Sequence, residues 1–165
     1  MSRRAWFVIL VIGVVAALLL SRALGGRPSD EDRIRAMLHD AARAAEEKRV
    51  GDAVQGLSER FEGHGLDKLG AKQLVAFHVL RGTWVSVTLA GEKVEVEGDR
   101  ARAVADVVMS RSGKGKPLAE LLPETATVLR FDLRLAREAD GWKVATAAWR
   151  RVSLEEAAAG PELAP

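Results

Sequence analysis

The spacing of hydrophobic positions in this chain changes once, near residue 84. Before that point apolar residues recur every three to four positions, which predicts helices over about 30–49, 53–60 and 67–80. After it they alternate with polar residues, which predicts strands over 84–89, 93–97, 101–110, 125–137 and 142–152, with turns at Gly91 and at Asp140-Gly141. Helices followed by a run of strands predict an α+β fold, with helices packed on one face of an antiparallel sheet.

An uncharged apolar run, Ala5–Ser21, precedes this pattern. It is slightly shorter than the roughly 20 residues that cross a bilayer as a helix. Extending the run through Arg22 to Leu24 gives a single membrane span over residues 5–24, provided that the Arg22 side chain extends to the membrane–water interface. Arg3-Arg4 before the run favours a cytoplasmic N-terminus, so we expect the rest of the chain on the periplasmic or extracellular side. A cleaved signal peptide, which would leave a secreted domain, is the alternative.

These features divide the chain into four parts. Residues 1–26 are the membrane anchor or signal segment, and residues 27–29 are a linker. Residues 30–152 form the α+β domain. Residues 153–165 form a short helix, capped by Ser153, and a frayed tail.

Composition and charge exclude several classes of site. The chain has no cysteine, which excludes disulfides, thiolate nucleophiles and iron–sulfur ligation. Its three histidines show no metal-binding spacing, so we expect no metal and no cofactor. Three arginines, at positions 3, 4 and 22, flank the apolar run, which leaves residues 27–165 with 22 of the 25 basic residues against 23 acidic ones, a net charge of −1. A domain so close to neutrality is not expected to bind nucleic acid.

Three short motifs occur at the steps between predicted elements. Gly51-Asp52 separates the first two helices and Phe61 follows the second. Gly98-Asp99-Arg100-Ala101 is the turn into the third strand, and Asp140-Gly141-Trp142-Lys143-Val144 is the last hairpin. In this order the chain from about Asp30 to Val152 resembles the nuclear transport factor 2-like (NTF2-like) superfamily, which includes the SnoaL-like proteins. The resemblance implies a cone formed by helices packed on a curved antiparallel sheet.

The resemblance also implies a pocket inside the cone. If the apolar side of each strand faces inward, small and apolar side chains line this pocket, together with threonine hydroxyls. The predicted pocket residues are Phe77, Ala103, Ala105, Val107, Thr127, Leu129, Phe131, Trp142, Val144 and Thr146.

Acid–base chemistry has only two weak candidates in this pattern. Catalytic members of the superfamily hold acids and histidines inside the cone, where burial shifts their pKa values. His78, on the third predicted helix, could border the mouth of the cone and act as a general base. Asp106 falls on the outward side of its strand and would face the cone only if a β-bulge exchanged the faces. A surface carboxylate at this position is the simpler interpretation.

The outward side of the long strands is also partly apolar. A sheet with one solvated face should alternate cleanly to polar residues there, and this one does not. An apolar stripe with charged neighbours is typical of an interface, so we expect a homodimer or another envelope protein on this face. The alternative is that residues 154–159 fold over the stripe within one chain. The predicted interface residues are Val104, Val108, Val128, Arg130, Asp132, Ala147 and Trp149.

Two functions remain open from the sequence. The first is a non-enzymatic, membrane-anchored domain that binds a small hydrophobic ligand or a protein partner in the cell envelope. The second is a SnoaL-like lyase, isomerase or hydrolase that acts on a small hydrophobic molecule. A histidine and a carboxylate converging inside the cone would favour the enzyme.

Overall fold

The computed structural model describes residues 28–82, 84, 86–111 and 125–163. The predicted anchor, residues 1–26, lies outside the described residues, and within them no helix is long and apolar enough to cross a membrane. The elements, in chain order, are α1 (Asp30–Glu46), α2 (Val50–Ala53), β1 (Leu57–Glu62), α3 (Lys68–Leu80), β2 (Ser86–Glu97), β3 (Arg100–Ser110), β4 (Ala126–Glu138), β5 (Gly141–Val152) and α4 (Leu154–Ala158).

Polar caps begin the three helices that the sequence analysis placed most clearly. At α1, the Ser29 hydroxyl accepts a hydrogen bond from the Asp32 amide, and the Asp32 carboxylate accepts one from the Ser29 amide. This capping box satisfies two amides that have no partner inside the helix. Asp67 caps α3 and Ser153 caps α4 with a single side-chain bond each, accepted from the amides of Gly70 and Glu156. The α+β class and these helix starts are therefore confirmed.

The sheet is mixed rather than wholly antiparallel. Its strand order is β1-β5-β4-β3-β2, and β1 pairs in parallel with β5 while the other pairs are antiparallel. The helix predicted over residues 53–60 is wrong, because the helix ends at Ala53 and Leu57–Glu62 is a strand. Gly56 interrupts this short segment, and pairing with β5 then outweighs a weak local preference for helix.

A single long strand, β2, replaces the two strands that were predicted on either side of Gly91. Leu89 pairs with Val107 and Gly91 pairs with Asp106, so one extra residue forms a bulge where a turn was expected. A Cβ atom at Gly91 would lie 3.1 Å from Cδ of Pro161. The glycine therefore lets the C-terminal segment approach the sheet closely.

A second bulge lies in the middle of β5. Val144 pairs with Leu135 and Thr146 pairs with Arg134, so Ala145 is the extra residue. Because side chains alternate between faces, one extra residue exchanges the two faces of the strand beyond it. Trp149, for example, comes to lie opposite Phe131 on the inner face.

The main core fills the end of the cone where the β4–β5 hairpin turns. Trp142 packs there, and its indole Nε1–H donates a hydrogen bond to Asp30 Oδ1 at 3.1 Å. Hydrogen bonds from Arg137 and then from Trp142 lower the pKa of Asp30 below its ordinary value. This contact ties the start of α1 to the hairpin. The buried residues of this core are Ile34, Phe61, Val94, Ala101, Ala103, Leu133, Leu135, Trp142 and Val144.

Candidate functional site

An apolar cavity of about 300 Å³ lies between the helices and the inner face of the sheet. Helices α1 and α3 form one wall, and all five strands contribute to the other. Among the described residues that line it, His78 is the only one with an ionisable side chain. The lining residues include Met37, Leu38, Ala41, Ala45, Phe61, Leu74, Val75, His78, Trp84, Leu89, Ala105, Val107, Met109, Leu129, Phe131, Leu133, Val144, Ala147 and Trp149.

Two tryptophans supply aromatic surface to this cavity. Trp84 is buried, and its Nε1–H donates to the carbonyl oxygen of Ala45 at 3.3 Å, so its polar atom is satisfied by α1. Trp149 lies with its ring centroid 5.9 Å from that of Phe131. Both indoles therefore present mainly apolar surface to anything inside the cavity.

His64 holds Trp149 in place from the turn after β1. Its Nε2 accepts a hydrogen bond of 3.0 Å from the Trp149 amide, and the two ring centroids are 4.1 Å apart. The residue has a φ of 48°, in the left-handed region that few side chains adopt. A Cβ atom at the preceding Gly63 would lie 2.8 Å from the Ala147 carbonyl oxygen, so only glycine allows this close approach. The turn thus supports the bulged half of β5.

His78 and Asp106 do not come together. His78 lines the cavity from α3, with its ring 5.8 Å from that of Trp84. Asp106 lies on the opposite face of the sheet and is fully buried, with 0% of its surface exposed. The acid–base pair considered from the sequence is therefore not formed by these two residues. The described residues also contain no group of three or more histidines and carboxylates that could hold a metal ion.

Asp106 is instead one half of a buried ion pair with Arg130. The Arg130 Nε and one terminal nitrogen donate to the two carboxylate oxygens, each at 2.7 Å. This paired geometry, above all the hydrogen bonds with Asp106, raises the pKa of Arg130 above its ordinary value. Arg130 also donates to the carbonyl oxygens of Glu156 and Gly160, at 3.2 and 3.3 Å. The pair thus fixes the C-terminal segment to the outer face of the sheet.

Five of the ten predicted pocket residues line the cavity and five do not. Phe77 lies on the solvent side of α3, and Thr146 is exposed opposite Arg134 because the bulge at Ala145 exchanges the faces. Ala103 and Trp142 belong to the core at the hairpin end, and Thr127 is not among the lining residues. Those that line the cavity are Ala105, Val107, Leu129, Phe131 and Val144.

The predicted interface surface is divided between the two faces of the sheet. Ala147 and Trp149 line the cavity, so their placement on the outer face was wrong, for the same reason as Thr146.

The placement of Val104, Val108 and Val128 on the outer face is correct, but these valines are buried within one chain. Val108 and Val128 pack with Val152 and Ala157, in the arrangement considered as the alternative. These valines are therefore not exposed for contact with a second chain, and the predicted association of two chains stays a prediction. The remaining two residues, Arg130 and Asp132, also lie on the outer face, and Arg130 is occupied by Asp106.

Trp84 was not among the predicted pocket residues, and Trp149 was predicted on the wrong face. Trp84 stands at the start of a predicted strand, and no periodic signal distinguishes a cavity tryptophan there from a core one. Trp149 lies on the inner face because Ala145 is the extra residue of the bulge. Ala145 belongs to a run of small residues, and such residues fit on the inner face and on the outer face equally well. Met37, Leu38, Ala41 and Ala45, which recur at helical spacing along α1, also line the cavity.

Solved structures share this architecture at low sequence identity, although no protein-family model and no curated protein matches the chain. An NTF2-like protein with a cystatin-like fold from Novosphingobium aromaticivorans is 19% identical over 88% of this chain and 92% of its own, with a TM-score of 0.56. An NTF2-like protein of unknown function from Pseudomonas putida is 13% identical over 71% and 82%, with a TM-score of 0.55. A third, from Shewanella oneidensis, is 15% identical over 73% and 98%, with a TM-score of 0.51. The described domain therefore has the NTF2-like α+β fold, with helices packed on a curved mixed sheet.

Proposed function

We propose that this protein is a membrane-anchored, non-enzymatic NTF2-like domain that binds a small hydrophobic molecule in the cell envelope. The observation that carries the proposal is the cavity of about 300 Å³. Its volume lies at the lower end of the range for small-molecule pockets, roughly 300–1,000 Å³. Two tryptophans and two phenylalanines line it, and the described lining residues contain no carboxylate.

This lining favours binding over catalysis. A lyase, isomerase or hydrolase of this size would need a positioned acid and base close to the reacting atoms. His78 lines the cavity, but Asp106 lies behind the sheet and is held by Arg130. An apolar ligand gains free energy in such a cavity because its surface leaves water, and it needs few polar partners there.

Because of the bulge in β5, two neighbouring alanines lie on opposite faces of the sheet, and substituting each of them tests the cavity with a matched pair of variants. Ala147 lines the cavity, whereas the neighbouring Ala148 is exposed on the outer face. Ala147→Phe fills part of the cavity, so we expect the amount of bound apolar molecule to fall at least about tenfold, which corresponds to about 1.4 kcal/mol of binding free energy. The measurement is mass spectrometry of an organic extract from the full chain, purified from its own membrane.

Ala148→Phe is the control and should leave the amount of bound molecule unchanged. Both variants should keep the far-ultraviolet circular dichroism spectrum of the parent, since overpacking costs only about 1–3 kcal/mol. Equal amounts in the two variants, or no apolar molecule in the parent extract, would contradict ligand binding in this cavity.

The membrane topology is a second part of the proposal. Arg3 and Arg4 precede the apolar run, and positive charges on that side favour a cytoplasmic N-terminus. We expect a reporter enzyme that works only on the periplasmic or extracellular side to be active when it is fused after residue 165. A reporter that works only in the cytoplasm should be inactive in the same position. Replacing both arginines with glutamate should reduce the activity of the first reporter, because the charge bias is reversed. A parent fusion active only in the cytoplasm would disprove the topology, and N-terminal sequencing distinguishes an anchor from a cleaved signal.

A further inference from the structure

The large apolar side chains that are exposed in the described part of the chain all belong to one helix, α3. Leu69, Phe77 and Leu80 are 61%, 47% and 86% exposed, and Leu74 is the fourth. Single exposed apolar residues are ordinary on protein surfaces, but several on one helix indicate a binding surface. The opposite side of the same helix lines the cavity, so α3 separates the cavity from this surface.

Three of these side chains form one stripe along the helix. Each residue turns an α-helix by about 100°, which places Leu69, Phe77 and Leu80 within about 80° of one another. Lys72 lies on one flank of the stripe and Arg81 on the other, with the Arg81 guanidinium 4.2 Å from the centre of the Phe77 ring. Between Lys68 and Arg81 there is no acidic residue. An apolar stripe between cations is the pattern of a helix that lies on an anionic membrane surface.

The apolar run near the N-terminus would keep this helix close to a bilayer. Only eight peptide steps separate Ser21, the end of the run, from Ser29, the cap of α1. At most about 3.5 Å per residue, this stretch reaches roughly 28 Å. Asp30, at the start of α1, bonds to Trp142 beside the β4–β5 turn. Lys68, at the start of α3, pairs at 2.7 Å with Glu59 of β1, the strand that lies beside β5. Both helices therefore begin beside the β1–β5 pair, and the tether leaves the domain from there.

We propose that the outer side of α3 docks on the anionic surface of the membrane that anchors the chain. The inference rests on the proposed function, because it needs the anchor and gives the cavity its source of ligand. Leu69, Phe77 and Leu80 enter the headgroup region, while Lys72 and Arg81 meet anionic headgroups. The wall of the cavity formed by α3 then lies against the bilayer, and a hydrophobic molecule dissolved there enters the cavity beside this helix. The ligand class is therefore a bilayer-soluble molecule.

A single introduced cysteine tests the docking directly, because the natural chain has none. Gln73 is exposed between Leu69 and Phe77 on the stripe, and Thr146 is exposed on the outer face of the sheet. Gln73→Cys and Thr146→Cys are each labelled with a fluorophore in the full chain, which is reconstituted into vesicles of phosphatidylcholine and phosphatidylglycerol. We expect quenchers on the lipid chains to quench the label at position 73 about threefold or more compared with the label at 146.

Two changes should remove this difference. Leu69→Glu together with Leu80→Glu, both at exposed positions, should reduce the quenching at position 73 to the level at 146 without affecting folding. Vesicles of phosphatidylcholine alone, or high salt, should weaken it, because the cations then lose their partners or are screened. Quenching unaffected by either condition would overturn the role assigned to Lys72 and Arg81.

Other results would overturn the docking itself. Equal quenching of the two labels would do so, as would crosslinking between chains through position 73, which would show that a second copy covers the stripe. Flotation of the chain with the vesicles tests the anchor separately, and a chain that does not float would overturn the tether on which both proposals rest. An apolar extract that is empty while the label at position 73 is quenched would refute ligand binding and leave the docking intact.

Discussion

Asp106→Asn is expected to destabilise the domain by about 3–5 kcal/mol, although the change replaces only one atom of the side chain. Asp106 is fully buried and Arg130 is 13% exposed, so the loss of the carboxylate charge leaves this largely buried guanidinium with only the partly exposed Glu156 carboxylate, at 3.2 Å, as its counter-ion. Arg130 also holds the carbonyl oxygens of Glu156 and Gly160, and the C-terminal segment should loosen with it. A loss of this size is a large fraction of the stability of an ordinary domain. Denaturant unfolding of the full chain in mild detergent measures it.

Two further variants distinguish the effect of losing a buried charge from the other effects of replacing an aspartate. Asp132→Asn is a similar change on the outer face of β4, and it should cost less than about 0.5 kcal/mol, as is usual for partly exposed sites. Asp106→Leu combined with Arg130→Met should recover most of the lost stability, since an apolar pair of similar volume avoids the desolvation of two charges. If Asp106→Asn and Asp132→Asn lowered stability equally, the ion pair would not be buried.

Trp142→Ala is expected to cost about 3–5 kcal/mol, because it opens a large cavity in the main core. The indole is buried among the residues at the hairpin end, the Arg137 guanidinium lies 4.6 Å from the centre of its ring, and its N–H bonds to Asp30. Its removal also loosens the start of α1 from the sheet. Thermal and denaturant unfolding of the full chain should both show the loss.

Trp149→Ala is the matched control, the same substitution in the same strand. Trp149 already borders empty space in the cavity, so its truncation removes fewer contacts and should cost clearly less. Trp142→Phe keeps most of the packing and loses the hydrogen bond to Asp30, which should cost about 1 kcal/mol. Equal losses for Trp142→Ala and Trp149→Ala would show that the two indoles have been assigned to the wrong surroundings.

The sequence predicted the fold class and much of the cavity because both depend on simple periodicity. Ala105, Val107, Leu129 and Phe131 alternate with outward residues along uninterrupted strands, and their inward side follows from that pattern alone. The start of α1 was equally clear, since Ser29 and Asp32 form a local motif. Features that depend on a few neighbouring residues or on strict alternation are thus available from one sequence.

The remaining features depend on contacts between distant parts of the chain. Nothing near Ala145 distinguishes a bulge from regular alternation, yet this one residue determines which side of the sheet Thr146 and Trp149 occupy. Asp106 was correctly placed on the outer side, but its ion pair with Arg130, and the bonds of Arg130 to the C-terminal segment, join distant parts of the chain. The parallel strand β1 exists because β5 is beside it, and its own residues do not alternate strictly between buried and exposed.

The cover of the outer sheet face follows all five strands in the chain, and this order matters while the protein is being made. Val108, Val128 and the Asp106–Arg130 pair leave the ribosome before α4 and Pro161 do. Until α4 and Pro161 fold onto the sheet, the outer face keeps its apolar side chains uncovered and its ion pair open to water. Nascent chains in this condition are prone to associate with one another through exposed sheet. The short C-terminal helix thus completes the domain, and a chain that stops before residue 154 would keep this apolar face exposed.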